Sequence, residues 1–506
     1  MKRFLMFFWI CTLLALNACG YDGFAGKYWD GNYEDESAII VDNEEDAEVE
    51  PNRFVNVLAS PLSTFGADVD TASYSIFRRA VTEARNNFGP LRTEEMLNYF
   101  RYDYPQPEEG APFSVSAEMT PCPWNAQTKL LRIGLATRRI PAEERPASNL
   151  VFLVDVSGSM SGHDRLDLLK QGMLLLVDQM RPVDRISIVT YASSQKLILD
   201  GGTYDDRESI RRAINSLNAG GSTNGGSGII MAYNVAQKHF VEGGNNRIIL
   251  GTDGDLNVGI TSPAELKKLV EQKRDAGIFL SVLGFGVGNL KDRNMTALAK
   301  NGNGNYSYID TITEAQKVLV NEISETLFVA AKDVKFQIEF NPASVKGYRL
   351  IGYELRKLND RDFNDDRKDS GDIGAGHQVT VLYEIVDIHS AYPIPDANIK
   401  NPKPSTVPGD AWFSLSIRYK SPESSISQLL TYPMDLTIWR DALSSDMIFA
   451  SAIAQVAMIL SKSEFVGSAT LSSVLAQLQS VPDFTQDIYK NEFIQLVKKL
   501  PNLTGK

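Results

Sequence analysis

The stretch from Val151 to Ser159, which reads VFLVDVSGS, constrains the fold of this chain more than any other. An apolar run followed by polar turn residues is typical of a buried strand that leads into a loop. In open α/β sheets, ligands bind beside such loops, at the carboxyl ends of the strands. Asp155, Ser157 and Ser159 occupy alternate positions, so an extended loop would point their side chains the same way. This grouping of oxygen atoms suits a hard divalent cation.

Strand and helix patterns alternate between residues 149 and 328, which predicts a doubly wound sheet covered by helices on both faces. A helix near Asp164 carries apolar residues at steps of three and four. Another begins at Ser262, where a cap residue precedes a proline and a glutamate. The predicted strands are Leu150–Asp155, Arg185–Tyr191, Arg247–Gly251, Ile278–Phe285 and Tyr306–Ile309, with a further edge strand at Lys196–Leu199.

Two further loops of this α/β region carry oxygen ligands. Thr223 lies in the glycine-rich stretch from Gly220 to Gly226, and Asp253 directly follows a predicted strand. Two carboxylates, three hydroxyls and water complete an octahedron around Mg²⁺. The glycine-rich stretch lacks the Gly-Lys-Ser/Thr ending of a phosphate-binding loop.

Asp155-Val-Ser-Gly-Ser, a threonine in a glycine-rich loop, and Thr252-Asp-Gly resemble the metal-ion-dependent adhesion site of von Willebrand factor type A domains. The resemblance implies that Ser157, Ser159 and Thr223 bind Mg²⁺ or Mn²⁺ directly, while Asp155 and Asp253 act mostly through water. It also implies an open metal position that accepts an Asp or Glu from a protein or envelope partner.

Segments on both sides of this region are similar to those of bacterial lipoproteins with a von Willebrand A domain. They are Phe65-Gly-Ala-Asp-Val-Asp-Thr-Ala-Ser-Tyr, Pro121-Cys-Pro-Trp-Asn and Asp372-Ile-Gly-Ala-Gly-His. Alternating apolar residues before and after the central region predict one β-sandwich built from both flanks, with the α/β domain inserted between them. Residues from Phe54 to about Tyr104 look helical, and the final segment looks like a helical tail packed on the sandwich.

The predicted organisation has six parts. These are a lipoprotein signal peptide at 1–19, a disordered acidic tether at 20–53, flanking helices and strands at 54–148, the von Willebrand factor type A domain at 149–328, a flanking β-sandwich at 329–434 and a helical segment at 435–506.

The first residues predict export. Lys2 and Arg3 precede an apolar run, as in a secretory signal peptide. The sequence that ends at Cys19 resembles a bacterial lipobox, although Asn17 departs from the usual small residue; a plain signal peptide or an uncleaved anchor is the alternative. The absence of aspartate after Cys19 favours the outer membrane over the inner one. We therefore expect a lipid-anchored protein of the bacterial cell envelope.

Other residues carry weaker signals. Cys122 lies in Pro-Cys-Pro-Trp, and we expect a packed thiol; the four histidines have no zinc spacing. Asp68, Asp70 and Thr71 favour a helix cap over a second metal site. The acidic run from Asp360 to Asp372 favours a solvated loop over a calcium site, because its glycine comes too late for an EF-hand.

The favoured function is therefore binding at the cell envelope, and we expect no enzymatic activity. The net charge of −12 argues against nucleic-acid binding, which needs a basic surface. A metal-assisted hydrolase is one alternative, but no general base or nucleophile set is evident. An assembly partner of an AAA-type ATPase is another, and the export signal argues against it.

Overall fold

The computed structural model describes most of the chain after residue 49. The described residues are 50–67, 70–89, 91–221, 228–254, 262–286, 292–322, 327–366, 368, 370–397, 405–422 and 424–504. Cys19 and Thr223, two of the residues singled out above, lie outside these ranges.

Strands dominate the flanks, and strands alternate with helices in the centre. In chain order the strands are β1 Val55–Asn56, β2 Leu62–Gly66, β3 Phe113–Pro121, β4 Lys129–Thr137, β5 Ser148–Asp155, β6 Arg185–Tyr191, β7 Gln195–Gly202, β8 Asn245–Thr252, β9 Ile278–Gly284, β10 Tyr306–Tyr308, β11 Val329–Phe340, β12 Val345–Ile351, β13 Ile373–Gly374, β14 Gln378–Asp387, β15 Phe413–Lys420 and β16 Ser427–Met434.

The helices fall into a central group and a terminal group. In chain order they are Ala72–Thr82, Thr93–Asn98, Leu166–Asp178, Arg207–Asn215, Gly228–Lys238, Pro263–Asp275, Asp292–Asn301, Ile312–Gln316, Ser445–Leu460, Leu471–Gln479 and Ile488–Thr504. Within the described ranges, none of them combines the length and the hydropathy that crossing a bilayer requires.

The central domain is built on a six-stranded sheet in the order β10-β9-β8-β5-β6-β7. Its strands are parallel except for β7, which runs antiparallel to β6 at one edge. Apolar clusters cover both faces, one with Leu169 and Met173, the other with Ile229 and Tyr233. The predicted doubly wound sheet and its edge strand are therefore confirmed.

The flanks form two antiparallel sheets that face each other. One has the order β1-β12-β14-β4-β3, and the other contains β13-β11-β15-β16 with β2 also paired to β11. Strand β4, from before the central domain, pairs with β14, from after it, and places Leu131 opposite Tyr383. Side chains from both sheets share one apolar core. The predicted sandwich is thus built from both flanks, with the α/β domain inserted between them.

The terminal helices share a core with the early helices, and they do not simply coat the sandwich as the sequence suggested. The rings of Tyr74 and Tyr99 stack with centroids 4.0 Å apart, and Phe493 packs 5.7 Å from Phe100. The helix Ser445–Leu460 is buried almost all round, because the early helices, its own neighbours and one sandwich sheet surround it. This helical cluster is a third core beside those of the sheets.

Two predictions for the first flank are wrong. Residues 54–67 are not helical, because Leu62–Gly66 pairs with β11 and Val55–Asn56 with β12, partners that lie far along the chain. Thr71 begins the helix Ala72–Thr82 without capping it through its side chain. Asp70 forms an ion pair with Arg356 at 2.8 Å, and Asp68 lies outside the described residues.

A buried arginine joins the helical cluster to the central domain. The Arg78 guanidinium, only 3% exposed, donates to Asp310 and Glu314 of the central domain. It also donates to Glu492 of the last helix, with 3.0 Å between Nη1 and Oε2. Removing one partner from such a buried set typically costs about 3–5 kcal/mol, so these contacts hold three segments in register.

Glu94 is a buried carboxyl group with acidic neighbours. It packs closely on Gly352, where an added Cβ would lie 2.7 Å from Glu94 Oε2. Burial, with the charges of Glu95 and Glu354, raises the pKa of Glu94 from 4.5 to about 7. The folded protein therefore retains this proton at pH values where the unfolded chain has lost it.

We predict that Glu94→Gln changes the pH dependence of stability. A raised acid pKa contributes most stability below pH 4.5, and that stability is lost as pH rises towards 7. Between pH 5 and 7.5 the parent should therefore lose about 2 kcal/mol of unfolding free energy relative to the variant. Urea unfolding at both pH values measures this, with exposed Glu108→Gln as the control. Parallel pH profiles for the parent and Glu94→Gln would contradict the prediction.

Candidate metal centre

The candidate centre lies where the strand order of the central sheet reverses. Strands β5 and β8 are parallel neighbours, and they end at Asp155 and Thr252. The helices that follow β5 and β8 leave the sheet on opposite sides in a doubly wound fold, so a crevice opens between these two strand ends. The predicted side chains Asp155, Ser157, Ser159 and Asp253 all lie on the two loops that flank this crevice.

Asp155 is fully buried at the end of β5. Its Oδ1 accepts the Ser157 backbone N–H at 2.9 Å, and its Oδ2 accepts the hydroxyls of Tyr191 at 3.2 Å and Thr252 at 3.3 Å. Burial raises the pKa of Asp155 to about 6, and the nearby charge of Asp253 contributes to the rise. The carboxylate is thus held in one orientation, and the three groups that donate to it are neutral.

A single turn of 3-10 helix, Gly158–Met160, carries Ser159, and Ser157 is the residue that precedes it. Their Oγ atoms are 2.9 Å apart, with Ser157 buried and Ser159 exposed. The 3-10 turn, and not the extended loop that the sequence predicted, therefore brings both hydroxyls together. Arg165 holds this turn, because its Nη1 donates to the backbone oxygen of Ser159 at 2.6 Å.

The glycine-rich loop is held against the serine turn by backbone hydrogen bonds. Gly158 N–H donates to the oxygen of Gly221 at 3.1 Å, and Gly220 N–H donates to the oxygen of Val156 at 2.8 Å. Gly221 has a φ of +91°, and an added Cβ would lie 2.6 Å from Ser193 Oγ, so both backbone and space favour glycine. This loop leads towards Thr223, which lies outside the described residues.

Asp253 provides the test of whether the residues fit a cation. Its Oδ1 is buried and has no hydrogen-bond partner within the described part of the chain. A buried carboxylate oxygen without a donor is costly, and a bound cation removes that cost. Two carboxylates and two hydroxyls at one crevice are the oxygen ligands that Mg²⁺ prefers. The described residues therefore fit the ion that the sequence predicts.

The sequence did not indicate Tyr191 as a residue of this centre, and it indicated Thr252 only as part of a motif, without its contact to Asp155. Both hydroxyls donate to Asp155, and both side chains are buried. Each ends a strand, β6 and β8, beside the end of β5. A search for polar residues at the ends of all the neighbouring strands would have found them.

The described residues give no support for a metal site other than the candidate centre. No group of three or more His, Cys, Asp or Glu side chains is placed there to hold a metal ion. His163 is exposed on the turn before the helix Leu166–Asp178. Burial raises the pKa of the Cys122 thiol to about 12, which suits the expected packed residue.

The acidic run near Asp360 is not a solvated loop throughout, as the sequence suggested. Residues Asp360–Asn364 form a 3-10 helix in which Phe363 is only 3% exposed. Asp366 accepts hydrogen bonds from Arg418, and Asp372 accepts one from Asn303 at 2.7 Å. These carboxylates have protein donors, so they do not form a calcium cage.

Comparison with known protein families matches three parts of the chain. The family model for the von Willebrand factor type A domain matches residues 149–322. A model named von Willebrand factor matches residues 40–132, and one named uncharacterized protein YfbK, C-terminal, matches residues 325–503. The fold, the strand-end site and these matches define a protein built around a von Willebrand factor type A domain.

Individual relatives extend this assignment to the whole chain. The chain is 41% identical over 470 residues to the uncharacterized protein YfbK of Escherichia coli strain K12, which covers 90% of this chain and 80% of that protein. It is 30% identical over 185 residues to the uncharacterized protein sll0103 of Synechocystis, covering 37% of this chain and 43% of the other. The chain belongs to the family of von Willebrand factor type A proteins that includes YfbK.

One solved structure aligns with much of the chain. A von Willebrand factor type A protein from Catenulispora acidiphila aligns over 79% of this chain and 91% of its own, with 14% identity and a TM-score of 0.38. Von Willebrand factor type A domains commonly bind a divalent metal at an adhesion site. Their presence suggests protein–protein interaction or adhesion as the coarse function.

Proposed function

We propose that this chain is a cell-envelope binding protein that captures a carboxylate of its partner through Mg²⁺ or Mn²⁺. Asp155, Ser157, Ser159, Thr223 and Asp253 would hold the ion. The observation that carries the proposal is the buried Asp253 Oδ1, which has no donor among the described residues and lies on the loop across the crevice from the paired hydroxyls of Ser157 and Ser159. The match to the type A domain supports the same reading.

The ligand set suits binding. When bound, the ion would supply an electrophilic position for an acidic group. Its direct ligands would be mostly neutral hydroxyls, which neutralise little of its positive charge. The partner would present an Asp or Glu side chain, which is a hard oxygen ligand. A binding role needs no bond to be broken, so we propose no enzymatic activity.

Residues behind the ligands would keep them in place. Tyr191 and Thr252 orient Asp155 through their hydroxyls, and Arg165 holds the backbone of Ser159. Side chains fixed by their neighbours lose little entropy when a ligand binds, so such support raises affinity.

We also propose that Cys19 carries a lipid that anchors the chain to the outer membrane. The proposal depends on the apolar run before Cys19 and on Gly20 after it. An acidic segment between the anchor and the folded domains would extend by charge repulsion and give the binding site reach.

We predict that the purified chain binds Mg²⁺ and that Asp253→Ala and Ser157→Ala each weaken this binding at least about tenfold. Ser157→Ala removes a direct ligand oxygen, and Asp253→Ala removes a carboxylate that would hold the ion mostly through water; the loss of either is worth roughly 1.4 kcal/mol or more. Isothermal titration of metal-free protein measures the affinity. The control is Ser161→Ala, an exposed serine just beyond the same turn.

A second measurement addresses the partner. Cross-linking in cells should trap a partner that disappears with EDTA and with Thr223→Ala, and persists with Ser161→Ala. Equal Mg²⁺ affinity in the parent and both ligand variants would refute the metal centre. Trapping that ignores EDTA would refute metal-dependent capture.

The anchoring proposal predicts that Cys19→Ser moves the protein out of the membrane fraction. Without the thiol no lipid is attached, and an acyl chain contributes about 0.8 kcal/mol for each buried CH₂ group. Fractionation after labelling with a radioactive fatty acid measures both properties, with Cys11→Ser as the matched control. Retention of the label in Cys19→Ser would exclude this cysteine as the lipid site.

A further inference from the structure

A cavity of about 480 Å³ lies where four segments of the chain meet, and none of its lining residues belongs to the candidate metal centre. The segments are the end of the second helix, the link from β4 to β5, the last helical turns of the central domain and the start of the final helix. Its volume falls within the range of small-molecule sites.

Cations outnumber anions in the wall of this cavity. Arg101, Arg139, Arg145 and Lys317 line it, against the carboxylates of Glu322 and Asp487. Glu322 pairs with Lys317 and lies 3.9 Å from Arg101 Nε. The four cationic and two anionic side chains give the wall an excess of positive charge. How much of it can meet a ligand depends on what Asp487 contacts.

Asp487 is engaged at the start of the last helix. Its Oδ1 accepts the backbone N–H groups of Tyr489 at 2.9 Å and Lys490 at 3.0 Å. This is the position of a helix-capping carboxylate, so the charge of Asp487 offsets the amino end of the helix.

Two arginines of the wall, Arg139 and Arg145, can bind an anion from solution. Arg139 is exposed and Arg145 half-buried, and the structure gives neither guanidinium an ion pair with a described residue. Among the described residues, the one acceptor of the Arg145 guanidinium is the backbone oxygen of Ile140, at 3.2 Å. Burial lowers the pKa of Arg101, the charge of Glu322 opposes that shift, and the like charge of Arg139 adds to it. An anion placed among these side chains would relieve this repulsion.

Aromatic rings provide the other part of the wall. Phe100, Tyr99 and Tyr489 line the cavity, and Asn321 donates to the Tyr489 hydroxyl at 2.9 Å. Lys317 Nζ lies 4.4 Å from the centroid of the Tyr99 ring. Tyr99 and Phe100 are buried, so the half-buried ring of Tyr489 presents the apolar surface to a ligand.

We propose that this cavity binds an organic anion. Its phosphate or carboxylate group is held by Arg101, Arg139 and Arg145, and its apolar part packs on the half-buried ring of Tyr489. Guanidinium groups suit both acids because their planar N–H donors match two oxygens at once. A ligand there touches four segments and thereby ties the central domain to its flanks.

The test uses the full chain and three small probes at constant ionic strength: phenyl phosphate, benzoate and neutral phenol. We expect saturable binding of phenyl phosphate or benzoate below about 10 mM, and none of phenol, in isothermal titration. Arg139→Gln and Arg145→Gln should each weaken binding about tenfold. Arg138→Gln, whose side chain is 61% exposed and does not line the cavity, should change it less than about twofold.

The outcomes separate the ligand classes and the two sites. Binding of phenyl phosphate alone assigns a phosphate ligand, and binding of benzoate alone assigns a carboxylate. Asp253→Ala should bind the anion as the parent does, so this result does not depend on the metal centre. No saturation by either acid, or equal weakening in Arg138→Gln, overturns the proposal. Circular dichroism confirms that the variants are folded.

Discussion

A carboxylate buried at the end of a central strand is the constraint on which the rest of this structure depends. Asp155 has no exposed surface, and its two oxygens accept three hydrogen bonds from the ends of β5, β6 and β8. Burying a charge without a partner is costly, so the surrounding loops must converge on it. Their convergence brings Asp253 and the paired serines to the same crevice, where a divalent cation would complete the charge balance.

The flanks reach this crevice from the outside. Arg79, on the first helix of the flank, donates to the backbone oxygen of Gly286 at 2.9 Å and to Asp164 at 3.3 Å. Asp164 directly precedes Arg165, which holds the serine turn. One residue earlier, Arg78 ties the same helix to the central domain and the final helix. The rim of the crevice is therefore braced by segments that lie outside the inserted domain.

Much of this could be predicted from the sequence, because the signals are local. The run that ends at Asp155 has the pattern of a buried strand. Ser157 and Ser159 do lie side by side, but a 3-10 turn brings them together and not the extended loop that the alternate spacing predicted. Strand β12, Val345–Ile351, was missed because it is buried on both faces and shows little alternation. The contacts of Arg78, and the wall of the cavity lined by Arg101 and Lys317, join residues more than two hundred positions apart. No local sequence pattern predicts such contacts.

The most direct test of the metal centre is a crystal structure of the chain grown with Mn²⁺, with anomalous diffraction collected at the manganese absorption edge. The account predicts one strong anomalous peak within about 2.5 Å of the Ser157 and Ser159 hydroxyl oxygens, with Asp155 and Asp253 around it. An anomalous map with no peak in the crevice between β5 and β8, from crystals saturated with Mn²⁺, would contradict it.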